Sequence, residues 1–488
     1  MSLSVAYNTA RSSLQASQSQ MAIVSRNTAG ASDPGYSRKI GVLVTSGGAA
    51  RVTVLRASDR ALLNKMLETT SDAAMQKSLL EGLQRLGQTI GDPELDESPA
   101  ARVGALTNAL QQYANSPDDN VLARGFVKAA ADLATSLNQA TVSISAIRQE
   151  TQSQIADSVA RINDILTKFK AANDEVMSGS ALGRDVSDAL DARDYLIAQL
   201  SEEIGVTVVP RADNDIALYT DSGVPLFDRL PRTVTYETGI GLEPGKPGGA
   251  ILIDDIPVTG GSSPMPLSSG SLVGLVKLRD EIAVDYQRQL DELARGLIEA
   301  FKETDQVGSG KPDMAGVFTY IGGPDLLAAA APTPEGFAAR IRVNVAIDPT
   351  KSPDGAYEKI RDGGINGPEY GYGDGTASFS GRLYQLAGVL QGDRSFDPSL
   401  GLGGTMTLQD FASSSAGWIE AKRQDASQQV AYQETLLAQA SDALSNATDV
   451  NMDDETALML QLEKSYAASA KLISVINQML QTLLSAVS

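Results

Sequence analysis

At 488 residues the chain is long enough for roughly three domains, and 42% apolar with 20% charged residues is globular composition. It has neither cysteine nor histidine, which excludes disulfides, thiolate nucleophiles, Cys/His zinc centres, iron–sulfur clusters, His-ligated haem and a Ser-His-Asp triad. Sixty acidic against forty basic residues leave a net charge of −20, which argues against nucleic acid as a partner.

The first segment predicts a helix. Leu3, Tyr7, Ala10, Leu14, Ser17, Met21 and Val24 recur at 4-3-4-3 spacing, a heptad seam on one face. Residues 1–32 contain Arg11 and Arg26 but no acid. The first basic residue is Arg11, no signal-type apolar region follows it, and no apolar run reaches the ~20 residues of a membrane span. The expectation is therefore no membrane insertion and no cleaved signal peptide.

After Asn27 the helical pattern stops at Ala29-Gly30-Ala31-Ser32-Asp33-Pro34-Gly35-Tyr36, where Asp-Pro-Gly is turn chemistry. Residues 42–55 read as β, split at Gly47-Gly48. Helix returns from about 60 to 205, with breaks at Gly91-Asp92-Pro93 and Ser116-Pro117. Within it Leu133, Leu137, Ala140, Ile144 and Ile147 continue as Ile155, Val159, Ile162, Leu166 and Phe169. A stripe that long suits a rod.

The middle changes character. Residues 206–209, 233–236 and 251–253 are strand candidates between Gly/Pro clusters. Ile341, Val343, Val345 and Ile347 alternate with other residues as a half-buried strand does. A further helix runs through Ile282, Tyr286, Leu290, Leu293, Leu297 and Phe301. Residues 361–375 hold six glycines and a proline and read as loop. From about 405 the chain is helical again.

The last helix carries a second seam, Met459, Leu462, Tyr466, Ser469, Ile473, Ile476, Leu480 and Leu483. Asn451 is its cap candidate, and Asp453, Asp454 and Glu455 suit the positive end of the helix dipole. Both seams contain small or polar knobs at Ala10, Ser17 and Ser469, so neither helix should be stable alone. Each needs a partner: the other terminal helix, or the same helices of neighbouring subunits. The predicted fold is mainly α with an inserted β-rich region, both chain ends meeting in one helical stem.

No catalytic constellation stands out. Gly308-Ser309-Gly310-Lys311 lacks the phosphate-loop residues, with Asp305 and Pro312 in their places. Gly371-Tyr372-Gly373-Asp374-Gly375 has no strand-turn-helix context, and Asp213, Asp215 and Asp221 miss the calcium-loop spacing. A carboxylate-dependent wall hydrolase needs no histidine and stays as an alternative, although a single Trp418 suggests no sugar cleft. The expectation is a non-enzyme without cofactor or metal.

Several segments resemble a known family. Ser25 to Arg38 is similar to the N-terminal signature N-N-I-A-N-x-x-T-P-G-Y-S-R of flagellar axial proteins, departing at Thr28, Gly30 and Asp33. Val450-Asn451-Met452-Asp453-Asp454-Glu455 resembles V-N-L-D-E-E, and residues 460–471 resemble L-x-x-F-Q-x-A-Y-x-A-S-A-K with Leu462 in place of Phe. Leu190 to Leu196, with Leu200 and residues 205–208, is similar to L-D-x-R-D-x-L…L…G-V-x-V, and residues 270–280 to G-x-L…R-D. The Tyr36-Ser37-Arg38 ending resembles most the flagellar hook-associated protein 1 (FlgK) family.

The resemblance implies a structural adaptor between flagellar hook and filament. Its layers would be an inner coiled-coil domain (1–57 with 450–488), a helical rod (58–205 with 271–305 and 405–449) and an outer β-rich domain (206–270 with 306–404). It implies as partners further copies in a ring, hook protein, the next hook–filament junction protein, and an export chaperone on the C-terminal helix. Export would run through the flagellar type III channel to an extracellular site at the junction. Leu3, Tyr7, Leu14, Met21, Val24, Leu462, Tyr466, Ile473, Ile476, Leu480 and Leu483 are the expected assembly interface. Asn27, Pro34, Gly35 and Tyr36 are the expected linking turn. Another axial protein, whether flagellin-like, hook-like or the third hook-associated protein, is the alternative.

Overall fold

The computed structural model describes residues 3–46, 49–90, 98–236, 242–261, 263–328, 331–373 and 375–487. The expected breaks at Gly47-Gly48 and Gly91-Asp92-Pro93 lie outside the described residues, as does Asp374. The chain opens with α1 (Leu3–Gly30), followed by an antiparallel hairpin of β1 (Lys39–Ser46) and β2 (Ala49–Arg56). Four helices follow: α2 (Arg60–Ile90), α3 (Pro99–Asn115), α4 (Asn120–Ala181) and α5 (Ser187–Glu203).

Local chemistry sets their ends. Ser98 caps α3 by accepting the Ala101 N–H at 3.2 Å, with Pro99 in the first turn, where its missing N–H costs nothing. Asp119 caps α4 through the Val121 N–H at 2.7 Å. From there α4 runs 62 residues, roughly 93 Å at 1.5 Å per residue. The break read at Ser116-Pro117 is therefore the α3–α4 corner.

The strand-rich insertion comes next. β3 (Val206–Pro210), β4 (Ile216–Thr220), β5 (Pro225–Asp228) and β6 (Leu230–Pro231) form an antiparallel meander; β7 (Val234–Tyr236), β8 (Ile251–Ile253) and β9 (Ile256–Pro257) form a second. α6 (Ser271–Lys277) and α7 (Ala283–Ala300) return to the rod. The described residues between 306 and 404 are mostly irregular, with the three-residue strands β10 (Phe318–Tyr320) and β11 (Ile341–Val343) and the helices α8 (Glu358–Asp362) and α9 (Gly381–Gln391). The two-residue strands β12 (Arg394–Ser395) and β13 (Thr405–Met406) pair, and α10 (Leu408–Thr448) and α11 (Met452–Val487) complete the chain.

One strand departs from expectation. The alternation from 341 to 347 is strand only to Val343; Val345–Ile347 is a 3-10 turn. Asn344 causes the change, because its side-chain oxygen accepts the Ala346 N–H at 3.1 Å and offers the backbone a cap in place of a ladder.

Two apolar cores lie along α4. The first joins Leu133, Leu137, Ile144 and Ile147 of α4 to α3, α7, α9, the start of α10 and residues 315–360. The second joins Ile155, Ile162, Leu166 and Phe169 to α5, α6 and the strands from 206 to 258, with Phe169 edge-on to Phe227 at 4.8 Å. Residues 206–270 and 306–404, grouped in one outer layer by the sequence reading, thus pack on different halves of the same helix. The polar interruption between the halves explains the split. Arg148 and Thr151 are buried there, and Arg148 donates to the carbonyls of Arg279 (3.0 Å), Glu243 (2.8 Å) and Lys246.

Candidate assembly interface

The two chain ends pack together. Ser13 Oγ lies 3.1 Å from Ser469 Oγ, and Gln18 Nε2 donates to Tyr466 Oη at 3.5 Å. Positions ascend on α1 as they descend on α11, so the helices are antiparallel. Ala10, Ser17 and Val24 are buried on α1, as are Leu462, Ser469 and Ile476 on α11. Leu3, Tyr7, Leu14, Met21, Tyr466 and Ile473 are half-buried. The small knobs sit at the centre of the contact, where they let the two backbones approach.

Leu480 and Leu483, which complete the expected assembly interface, are 37% and 51% exposed within one chain. The Ser13–Ser469 register places Leu3 opposite about residue 480, so Leu483 reaches past the first described turn of α1. Beside them Leu472, Val475 and Met479 are also exposed, at 3-4 spacing on a neighbouring face of α11. That face is apolar and uncovered in a single chain.

A second stripe on α1 was not legible as a seam. Ala16, Ile23 and Asn27 are buried under the hairpin, and Gln20 Nε2 donates to the Gly41 carbonyl at 3.2 Å. The fit at Gly41 is tight, since a Cβ there would stand 3.0 Å from Ile23 Cδ1, which would have to give by a few tenths of an ångström. Each stripe takes about a third of the α1 circumference.

The linking turn is built around Asn27. Its Oδ1 accepts the Lys39 N–H (2.9 Å) and the Tyr36 hydroxyl (2.8 Å), and its Nδ2 donates to the Lys39 carbonyl at 2.9 Å. One side chain therefore ties the end of α1 to the start of β1. Asp33 shapes the turn between them, accepting the Gly35 N–H on its carboxylate at 3.0 Å and the Tyr36 N–H on its carbonyl at 3.0 Å. Burial pushes the Tyr36 hydroxyl up to about 12, which keeps it a neutral donor. Pro34 is exposed at the turn, Gly35 is half-buried, and Gly30 is required because a Cβ there would stand 2.6 Å from the Tyr36 ring.

Residues quoted only as signature carry the rest of the joint. Arg38 donates to Glu455 at 2.7 Å, and its N–H to the Thr448 carbonyl at 2.7 Å, so the Tyr-Ser-Arg and Val-Asn-x-Asp-x-Glu motifs meet. Asn451 caps α11 through the Asp453 N–H at 2.9 Å, as expected. The Leu-Asp-x-Arg-Asp motif supplies Asp191 and Asp194. Lys39, wholly buried, pairs with Asp191; Arg56 pairs with Asp191 at 3.0 Å and with Asp194; Arg26 pairs with Asp185 at 2.9 Å and Asp188 at 2.6 Å.

Elsewhere, a cleft of about 1140 Å³ lies between α7, residues 326–327 and 331–333, and residues 389–400. Its buried acids are engaged. Asp291 accepts the Gly336 and Ala338 N–H groups at 2.8 Å each, and burial pushes its carboxyl up to about 6. Glu292 pairs with Arg295 and accepts the Thr333 hydroxyl at 2.6 Å. Among the described residues no group of three or more acids could hold a metal ion.

The stem is thus made of both chain ends, stands on a long helical rod and leaves one apolar helix face uncovered. The profile of the flagellar hook-associated protein FlgK helical domain matches residues 83–317, and that of the flagellar basal body rod FlgEFG C-terminal region matches residues 443–486. The chain is 21% identical to flagellar hook-associated protein 1 of Bacillus subtilis (strain 168), across 97% of this chain and 96% of that protein. It is 23% identical to the Salmonella typhimurium protein of that name over 60% of this chain and 55% of that one, and 22% to the Escherichia coli K12 protein over 66% and 60%. The flagellar hook junction protein FlgK from Burkholderia pseudomallei superposes with a TM-score of 0.43 at 22% identity, covering 53% of this chain and 47% of that one. Over nearly its whole length the chain is similar to flagellar hook-associated protein 1.

Proposed function

We propose that the chain is a structural adaptor of the bacterial flagellum that assembles between hook and filament. The observation that carries this reading is the stem, in which the motifs from both ends lock into one unit whose α11 leaves Leu472, Val475, Met479 and Leu483 uncovered. An apolar face of that kind, on helices marginal by themselves, is stabilised by the same face of neighbouring copies. The copies form a ring that meets hook protein on one side and the next junction protein on the other. Before assembly, an export chaperone covers α11. The chain leaves the cell through the flagellar type III channel.

A wall hydrolase finds no support in the large cleft. Asp291, whose raised carboxyl is the nearest to a general acid there, is buried and already accepts two backbone N–H groups. Immunogold labelling of isolated flagella tests the adaptor reading. Label confined to the hook–filament boundary is the expected result; label along the filament or along the hook would instead identify a flagellin-like or hook-like subunit.

A further inference from the structure

The stem meets α5 mainly through charge, and beside one of its chain connections the Arg38 N–H donates to the Thr448 carbonyl at 2.7 Å. Among the described residues, no side chain of α1, the hairpin or α11 belongs to either apolar core. The covalent links are two short connections, residues 57–59 and 449–451. Across the gap stands a ladder of four aspartates three residues apart at the start of α5: Asp185, Asp188, Asp191 and Asp194. Each of three stem cations spans two successive rungs. Arg26 takes Asp185 and Asp188, Lys39 takes Asp191 with Asp188 at 3.8 Å, and Arg56 takes Asp191 and Asp194.

We propose that this ladder is a clasp with a docked and a released state, and that in the released state the stem swings as a unit about the two connections. The stem keeps its own ties in either state, namely Asn27 to Tyr36 and Lys39, Arg38 to Glu455, and Ser13 to Ser469. Both cores also stay intact, because none of their apolar residues lies in the clasp. Asp191 is the decisive rung. It is shared by Lys39 and Arg56, and Lys39 is wholly buried, so loss of Asp191 leaves a charge that water cannot reach with only the Ser187 carbonyl at 3.4 Å and Asp188 at 3.8 Å. Asp188 is 70% exposed at its side chain, and solvent replaces what it offers. The clasp thus answers to one central pair more than to the number of rungs. In the junction proposed above it is the place where an inner ring and an outer rod tilt against each other.

The test exploits the absence of cysteine. Nitroxide labels at Ala22→Cys on α1 and Thr167→Cys on α4, both exposed positions, report the stem-to-rod distance by pulsed electron resonance. The docked chain gives one narrow distribution. Asp191→Asn should broaden it severalfold, and Arg56→Gln should do the same, while Asp188→Asn leaves it narrow; helix content and the main melting transition stay as in the parent. A narrow distribution in both Asp191→Asn and Arg56→Gln would overturn the clasp. So would a broad one in the parent chain, a released Asp188→Asn, or a lowered main transition in Asp191→Asn, which would make the joint part of the folded body.

Discussion

Asn27 shows how much of the joint rests on single side chains. It is 1% exposed and satisfies three partners across the turn. Asn27→Ala leaves a buried Lys39 N–H and carbonyl without partners, a loss of roughly 2–4 kcal/mol of local stability. Amide exchange at Lys39 should accelerate accordingly, and unchanged protection would contradict the assigned role. Asp291 gives a prediction of opposite sign to most carboxylates. Burial holds its folded-state pKa near 6, above the ~3.9 of an unfolded chain, so the folded state binds the proton more tightly. Its effect on stability is nil well above pH 6 and becomes favourable as pH falls toward 4. Urea titrations at pH 7 and pH 5 should show the parent gaining about 1 kcal/mol relative to Asp291→Asn at the lower pH.

The elements differ in how far sequence exposes them. The α1–α11 seam was readable because its larger members are apolar at heptad spacing, and the unbroken stripe of α4 announced a long helix. The α1 stripe under the hairpin was not, because Ala16 is small and Gln20 and Asn27 are polar, so they bind through size or hydrogen bonds. The aspartate ladder was also missed. Acids at three-residue spacing look like a solvated face until Lys39 and Arg56, more than a hundred residues earlier, arrive opposite them. Leu480 and Leu483 carry the correct chemistry in the wrong place for an in-chain contact, since the antiparallel register runs out of α1 before reaching Leu483. Two substitutions separate these roles. Ser17→Leu overpacks the closest approach of the helices and should destabilise the stem by about 1–3 kcal/mol, read as faster amide exchange in α11. Leu472→Asp, on the uncovered face, should leave that exchange unchanged.

At the scale of the molecule, the helix–strand–helix order and the meeting of the two ends were visible in the pattern alone, and the signature motifs pointed to the family. The partition of the body was not, because hydrophobic periodicity reports which face of α4 is buried but not which segment buries it. Arg148 and Thr151, which divide the two cores, interrupt an apolar stripe by only two positions. In the proposed function the uncovered face of α11 builds the junction between hook and filament. Its most direct test is a gene deletion in the producing bacterium, complemented with the parent chain or with the double variant Leu472→Asp, Met479→Asp, followed by microscopy of the flagella and blotting of the medium for flagellin. The expected result is hooks without filaments and flagellin lost to the medium in the deletion strain and in the variant, with full filaments restored by the parent. Full filaments in the deletion strain, or in the variant, would contradict it.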